Sequence, residues 1–107
     1  MSAKSEYIVG LSHLTQEDLP EAEEFFRRSV LSDPVFGLGY LGLCQVLDRL
    51  GRVDEAIQAA VKAIELMPAD PLPHASLSRL YQQKDMIDEA EAEMAISMRM
   101  QNEAGGG

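Results

Sequence analysis

The sequence lacks the residues on which several classes of protein depend. It has no Trp and one Cys among 107 residues, and aromatic side chains make up only 6% of it. A single Cys forms neither an internal disulfide framework nor a multi-cysteine metal site. The interior must therefore be built from aliphatic side chains and Met, which favours helices that pack closely together.

Positive charge and long apolar runs are also scarce. The 9 Lys and Arg residues face 18 Asp and Glu residues, which gives a formal net charge of −9 at pH 7. A field of that sign repels nucleic acids and anionic membranes. The polar start of the chain and the lack of an apolar run of about 18 residues predict neither a signal peptide nor a membrane span. We therefore expect a cytoplasmic protein with no nucleic-acid or membrane partner.

One unit is repeated three times at a spacing of 34 residues. The segments 3–36, 37–70 and 71–104 align without a gap. Three columns of that alignment hold only small side chains: Gly10/Cys44/Ser78, Ala22/Ala56/Ala90 and Ser29/Ala63/Ser97. A larger side chain where two helices cross closely would force their backbones apart, so we expect the three alanines to be the least replaceable residues.

Two amphipathic helices are predicted in each unit, because apolar residues recur every three or four positions in two separate runs. The predicted helices are 4–14, 19–32, 36–49, 53–66, 71–83 and 87–100. Gly51 suits a left-handed helix end, and Glu17 and Asp85 take its place in the outer units. Asp70 before Pro71 predicts a capped helix start. We expect one all-α domain, 1–104, followed by a flexible glycine tail, 105–107.

The unit resembles the tetratricopeptide repeat, and the resemblance covers residues 3–104. It is most specific in the middle copy, at Leu43, Leu47, Gly51, Val53, Ala56, Ala63 and Pro68. The outer copies depart from the family pattern, because Glu6 and His74 occupy a column that is usually large and apolar and Asn102 replaces the proline. The resemblance implies a right-handed α-solenoid of six antiparallel helices, with a concave face lined by the first helix of each repeat.

The partner-binding residues are predicted on the side of the first helices opposite their core stripe of Tyr40, Leu43, Cys44 and Leu47. We call them the groove residues: Tyr7, Leu11, Leu14, Leu38, Leu41, Gln45, Arg49, Leu72, Ala75, Arg79 and Gln82. Their apolar members are expected to form an exposed strip beside the two arginines, as in a protein-binding site. The predicted function is to bind a peptide segment through apolar anchors with arginine support. Alternatively, some leucines pack against N-terminal residues or a neighbouring chain.

Other binding functions remain open. Family members that bind the acidic C-termini of heat-shock chaperones use Lys and Asn side chains on this face, and of the corresponding residues here, Tyr7, Leu11, Gln45, Ala75 and Arg79, only Gln45 and Arg79 offer similar chemistry. A secretion-type chaperone for an apolar segment is another alternative.

The third repeat offers a second candidate interface, because no extra closing helix is predicted after it. Its residues would be Met94, Ile96, Met98 and Met100, and it would support a homodimer or docking onto a larger assembly. The other possibility is that Arg99, Gln101 and Glu103 make the last helix its own cap.

No set of residues predicts catalysis or a cofactor. His13 and His74 fall at core-type positions of different repeats, and Cys44 shares a column of small residues, so packing explains all three. The acidic clusters fit solvated helix faces and helix starts. Since no phosphate-binding loop, catalytic triad or metal-ligand spacing is present, we expect a protein that is not an enzyme and holds no metal.

Overall fold

A computed structural model describes residues 1–105, and these residues form six α-helices. The helices are α1 (Ala3–Thr15), α2 (Leu19–Ser32), α3 (Gly37–Arg49), α4 (Val53–Leu66), α5 (Leu72–Gln83) and α6 (Ile87–Gly105). Every predicted helix is confirmed, and the predicted and observed ends agree closely except at the end of α6. The last two residues of the predicted glycine tail, 106–107, lie outside the described part of the chain.

The helix α6 continues to Gly105, beyond the predicted end at residue 100. The first two repeats have Pro34 and Pro68 shortly after their second helices, and a proline cannot continue a helix. The third repeat has Asn102 in that column, followed by Glu103 and Ala104, which favour helix. The prediction was wrong here because it gave the third repeat the length of the other two.

The helices form an all-α solenoid in two layers. Each first helix packs against the second helix of its own repeat, and each second helix packs against the first helix of the next repeat. The first helices α1, α3 and α5 also contact one another in turn, whereas among the described residues α2, α4 and α6 have no such direct contacts. A layer whose members lie closer together is the inner layer of a curved stack, so the first helices line the concave face.

The turns inside the repeats all use a left-handed residue. Gly51 has φ 76°, and Glu17 and Asp85 have φ 62° and 63° in the same place. The predicted break is confirmed in all three repeats, and the two non-glycine residues hold a conformation that costs roughly 1–2 kcal/mol for an L-residue. Before α5, the Asp70 side chain accepts a hydrogen bond from the Leu72 backbone N–H at 2.9 Å. The N-cap position itself belongs to Pro71 and has no side-chain cap, so the predicted cap at Asp70 is wrong by one residue.

The small columns are buried where the helices cross. The alanines Ala22, Ala56 and Ala90 are essentially inaccessible to solvent. Phe26 is fully buried as well, and its ring lies against Gly10 and Gly42. A Cβ added at Gly10 would lie 2.7 Å from Cε1 of the ring, and one at Gly42 would lie 2.5 Å from Cδ1. The two glycines therefore provide the space that the phenyl ring fills between α1 and α3.

Charge pairs join each repeat to the next. Glu17 pairs with Arg49 and Glu23 pairs with Arg52 between the first two repeats, and Asp48–Arg79 and Asp54–Lys84 join the second to the third. In these four pairs the acid belongs to the earlier repeat and the base to the later one. A looser contact, 3.7 Å between Arg27 and Glu55, has the opposite order.

Candidate functional site

The groove residues lie on the three inner helices, as predicted, but they differ in exposure. Two of the seven apolar ones are buried, since Leu14 is 7% exposed and Leu41 is 3% exposed. The expectation that these two form part of an exposed strip is therefore wrong. The reason is the close packing of α3 against both α1 and α5, which covers side chains that helical periodicity alone places on the open side.

Apart from Leu11, which lies in the second half of α1, the apolar part of the groove is formed by residues in the first halves of the first helices. Leu72 is 52% exposed, and Tyr7, Leu11, Leu38 and Ala75 are half-buried. The Tyr7 ring packs edge-on against Phe36, with ring centroids 5.8 Å apart, and lies 6.0 Å from the Phe26 ring. Burial, and then the nearby Asp70 carboxylate, raise the pKa of the Tyr7 hydroxyl. That hydroxyl therefore stays protonated and can donate a hydrogen bond at physiological pH.

The polar part lies near the ends of the same helices. Arg79 contacts Asp48 through Nε at 3.0 Å and through Nη2 at 2.8 Å, and Gln83 donates to the other oxygen of Asp48 at 2.8 Å. Arg49 donates to Glu17 and, at 3.4 Å, to the Leu14 backbone oxygen. Both predicted arginines are thus engaged by acids of the preceding repeat, so their positive charge is largely neutralised before any ligand arrives.

The pairing of Arg79 leaves its Nη1 group outside the bonds to Asp48. Its side chain is largely exposed, whereas that of Asp48 is mostly buried. Gln45 is half-buried and Gln82 exposed on the same face. This end of the groove offers amide and guanidinium donors for peptide carbonyl or carboxylate oxygens, without the excess of positive charge that a strong carboxylate clamp needs.

The other candidate residues have structural roles. Cys44 is buried, and burial followed by the Asp48 charge raises the pKa of its thiol to about 12. Nδ1 of His74 lies 2.6 Å from a Glu93 carboxylate oxygen, and His13 stacks on Phe25 with ring centroids 5.6 Å apart. The predicted packing roles of these three residues are confirmed.

The described residues, 1–105, enclose no pocket and bring together no cluster of metal-ligating side chains. No helix in that range is long and apolar enough to cross a membrane.

The predicted C-terminal residues do not form a single surface. Met94 and Met98 are exposed on one face of α6, whereas Ile96 and Met100 are half-buried and lie on nearly the opposite face. The third exposed apolar residue on the first face is Ile87, which the sequence reasoning missed. The alignment of the repeats carries the signal, because it places Ile87 in one apolar column with Leu19 and Val53, but the alignment alone does not show which columns the next repeat covers.

The comparisons place this architecture among known proteins. Residues 39–70 match the family model of the tetratricopeptide repeat, and 104 chains of solved structures resemble the fold. A crystal structure of MamA shares 24% identity and superposes with a TM-score of 0.92 over 99% of this chain, which spans 62% of the MamA chain. A comparison with curated protein sequences gives no significant match.

Two further structures were solved for proteins whose partners or roles are stated. The second repeat domain of Spaghetti (RPAP3), bound to the HSP90 peptide SRMEEVD, has 17% identity and a TM-score of 0.90, with coverage of 94% of this chain and 93% of that one. SycD, a type III secretion translocator chaperone of Yersinia enterocolitica, has 17% identity and a TM-score of 0.88, with coverage of 92% and 74%. At these identities the likeness establishes the fold.

Proposed function

We propose, on the premise that the chain is built of tetratricopeptide repeats, that it is a non-catalytic module whose concave groove holds a peptide segment of a protein partner. The observation that carries the proposal is the apolar end of the groove, at the exposed Leu72 and the half-buried Leu38, next to the polar end at Gln45 and Arg79. An extended peptide crossing the three inner helices would bury apolar side chains at the first end and bond its backbone at the second.

The neutralised arginines favour an apolar segment over a strongly acidic one. A ligand carboxylate at Arg79 would have to share the guanidinium with Asp48, or displace it. Displacing Asp48 would leave its mostly buried carboxylate without a positive partner, so displacement has a free-energy cost. The HSP90 peptide of the Spaghetti complex is acidic at its C-terminal end. We therefore expect this groove to prefer leucine-like or aromatic anchors over that type of ligand.

A chaperone for an exported protein is a second candidate within the same class. It is favoured by the same apolar end of the groove and by the fold shared with SycD, a secretion chaperone. Such a chaperone would protect an apolar segment of its partner from aggregation. It predicts that the chain delays the aggregation of an isolated apolar segment, whereas a simple docking module would bind the folded partner equally well.

The groove is tested with two charge-introducing variants, Leu72→Glu and Arg79→Glu, in a binding selection against a library of displayed peptides. Leu41 is unsuitable as a test site, because a charge at this buried residue would disturb the fold itself. Leu31, which is 80% exposed on α2, supplies the matched control Leu31→Glu. We expect peptides selected by the parent to lose at least ten-fold in affinity for Leu72→Glu and none for Leu31→Glu. Equal binding by all variants would disprove the groove as the site.

A further inference from the structure

The outer edge of α6 is exposed to solvent, whereas the equivalent surface of each of the first two repeats is covered by the repeat that follows it. The columns of Ile87, Met94 and Met98 contain Leu19, Phe26 and Val30 in the first repeat and Val53, Ala60 and Ile64 in the second. In those repeats the middle residue is fully buried and the other two are half-buried. In the third repeat the exposures are 48% for Ile87, 37% for Met94 and 56% for Met98.

In the first two repeats this surface is covered by the first helix of the next repeat, which is α3 or α5. On the first repeat it is α3, where Gly39 lies against Ser29 and Val30 and Gly42 lies against Phe26. Val46 follows one turn later and is fully buried. On the second repeat the counterparts in α5 are Pro73, Ser76 and Leu80. Both covering helices therefore carry two residues three positions apart that are Gly, Ser or Pro, which we call small here, and an aliphatic residue four positions further on.

Charge complementarity adds a second requirement. In the covered interfaces Glu23 bonds Arg52 at 3.0 Å, and Asp54 bonds Lys84 at 2.5 Å. These bases lie shortly after the aliphatic residue of each covering helix. The third-repeat counterparts of the two acids are Glu91 and Asp88, which are exposed and form no ion pair within residues 1–105. The uncovered edge thus presents apolar side chains flanked by the counterparts of both acids. Each covered interface uses only one of them, because Ile57 and Pro20 occupy the other two positions.

A second copy of this chain does not meet these requirements. Its free first helix, α1, carries Ser5, Ile8 and Ser12 in the three columns, so a large residue replaces the second small one and a polar residue replaces the aliphatic one. It carries Gln16 and Asp18 where the covering segments carry their bases. An acid would then face Glu91 or Asp88.

We propose that this edge of α6 binds a helix of another protein that has two small residues three positions apart, an aliphatic residue four positions later, and a Lys or Arg four to six positions after that. The helix would continue the solenoid in trans, and its base would pair with Asp88 or Glu91. This site is separate from the groove and does not depend on the function proposed for the groove.

The probe is a synthetic peptide of residues 71–84 of this chain, which carries the whole pattern from Pro73 to Lys84. A second peptide with the same pattern on an alanine-rich helix removes the cost of ordering a short helix. Each is titrated into the isotope-labelled full chain, and backbone amide shifts are followed by NMR. We expect the shifts to concentrate at Ile87, Met94 and Met98. If neither peptide binds, or if the shifts map to the groove, the proposal fails.

Substitutions on α6 test the residues assigned to this edge. Met94→Glu with Met98→Glu should weaken binding at least ten-fold, and Glu91→Lys about two- to five-fold, as for an exposed ion pair. Ile8→Glu, a control of similar exposure at the opposite edge, should leave binding unchanged. A control peptide with leucines in both small columns should not bind, and equal binding would contradict the proposal. Sedimentation of the chain alone tests whether a second copy occupies the edge instead. If the chain self-associates and Met94→Glu with Met98→Glu abolishes that association, the proposal is overturned and the edge is assigned to a second copy.

Discussion

Replacing Gly42 by Ala should destabilise the protein because of Phe26, and shortening Phe26 should remove that effect. The added Cβ would lie 2.5 Å from Cδ1 and 2.9 Å from Cζ of a fully buried ring. The ring cannot move away from the added Cβ, because it already lies in close contact with Gly10 of α1. Overpacking of this kind costs about 1–3 kcal/mol, and the higher helix propensity of Ala returns about 1 kcal/mol. With the steric cost near its upper end, we expect a net loss of about 2 kcal/mol.

In a Phe26→Leu background the same substitution should instead be neutral or stabilising. Leucine lacks the outer ring atoms, so little opposes the new methyl group, and only the propensity gain of about 1 kcal/mol remains. Phe26→Leu alone should cost about 1–2 kcal/mol through the lost packing. The two sites should therefore show a coupling energy of about 2–3 kcal/mol, in the range measured for residues in contact.

The assay is equilibrium unfolding in urea, followed by circular dichroism, of the parent, both single variants and the double variant. Gly39→Ala is the matched control, since its added Cβ would meet Ser29 Oγ at 2.9 Å and not the phenyl ring. Phe26→Leu should not rescue it. If the effects of Gly42→Ala and Phe26→Leu add within about 0.5 kcal/mol, the steric origin of the loss is refuted.

Two further predictions concern pH and the turns. The folded-state pKa of Cys44 is raised to about 12, so the stability it contributes is complete below the unfolded pKa of about 8.5 and is lost as pH rises from there towards 12. Between about pH 8.5 and 9.5, urea titrations should show the free energy of unfolding falling by about 1 kcal/mol, and Cys44→Ala should remove most of that slope; an unchanged slope would contradict the assignment. Asp85→Gly should raise the free energy of unfolding by about 1 kcal/mol in the same assay, because Asp85 has φ 63° and makes no ion pair within residues 1–105. Gly51→Ala should lower it by a similar amount, and a stabilising effect of that substitution would refute the turn argument.

Much of the fold follows from local sequence. The helix limits are predictable because the amphipathic period, the left-handed turn residue and the prolines after α2 and α4 all act within a few residues of one another. Local sequence does not predict the burial of Leu14 and Leu41. Their burial depends on how near the neighbouring first helices lie, and that distance is set by packing between repeats. The engagement of Arg79 by Asp48 has the same origin, since it joins residues of different repeats.

The direction of the charge pairs between repeats has a consequence for symmetry. In the four close pairs the acid lies on the face that one repeat turns towards the next repeat, and the base lies on the facing surface of that next repeat. A two-fold dimer brings a surface onto an identical copy of itself. Two C-terminal edges paired in this way would place Asp88 and Glu91 of each copy near the same acids of the other. The edge is therefore suited to a heterologous contact, in which one partner supplies the acids and the other the bases.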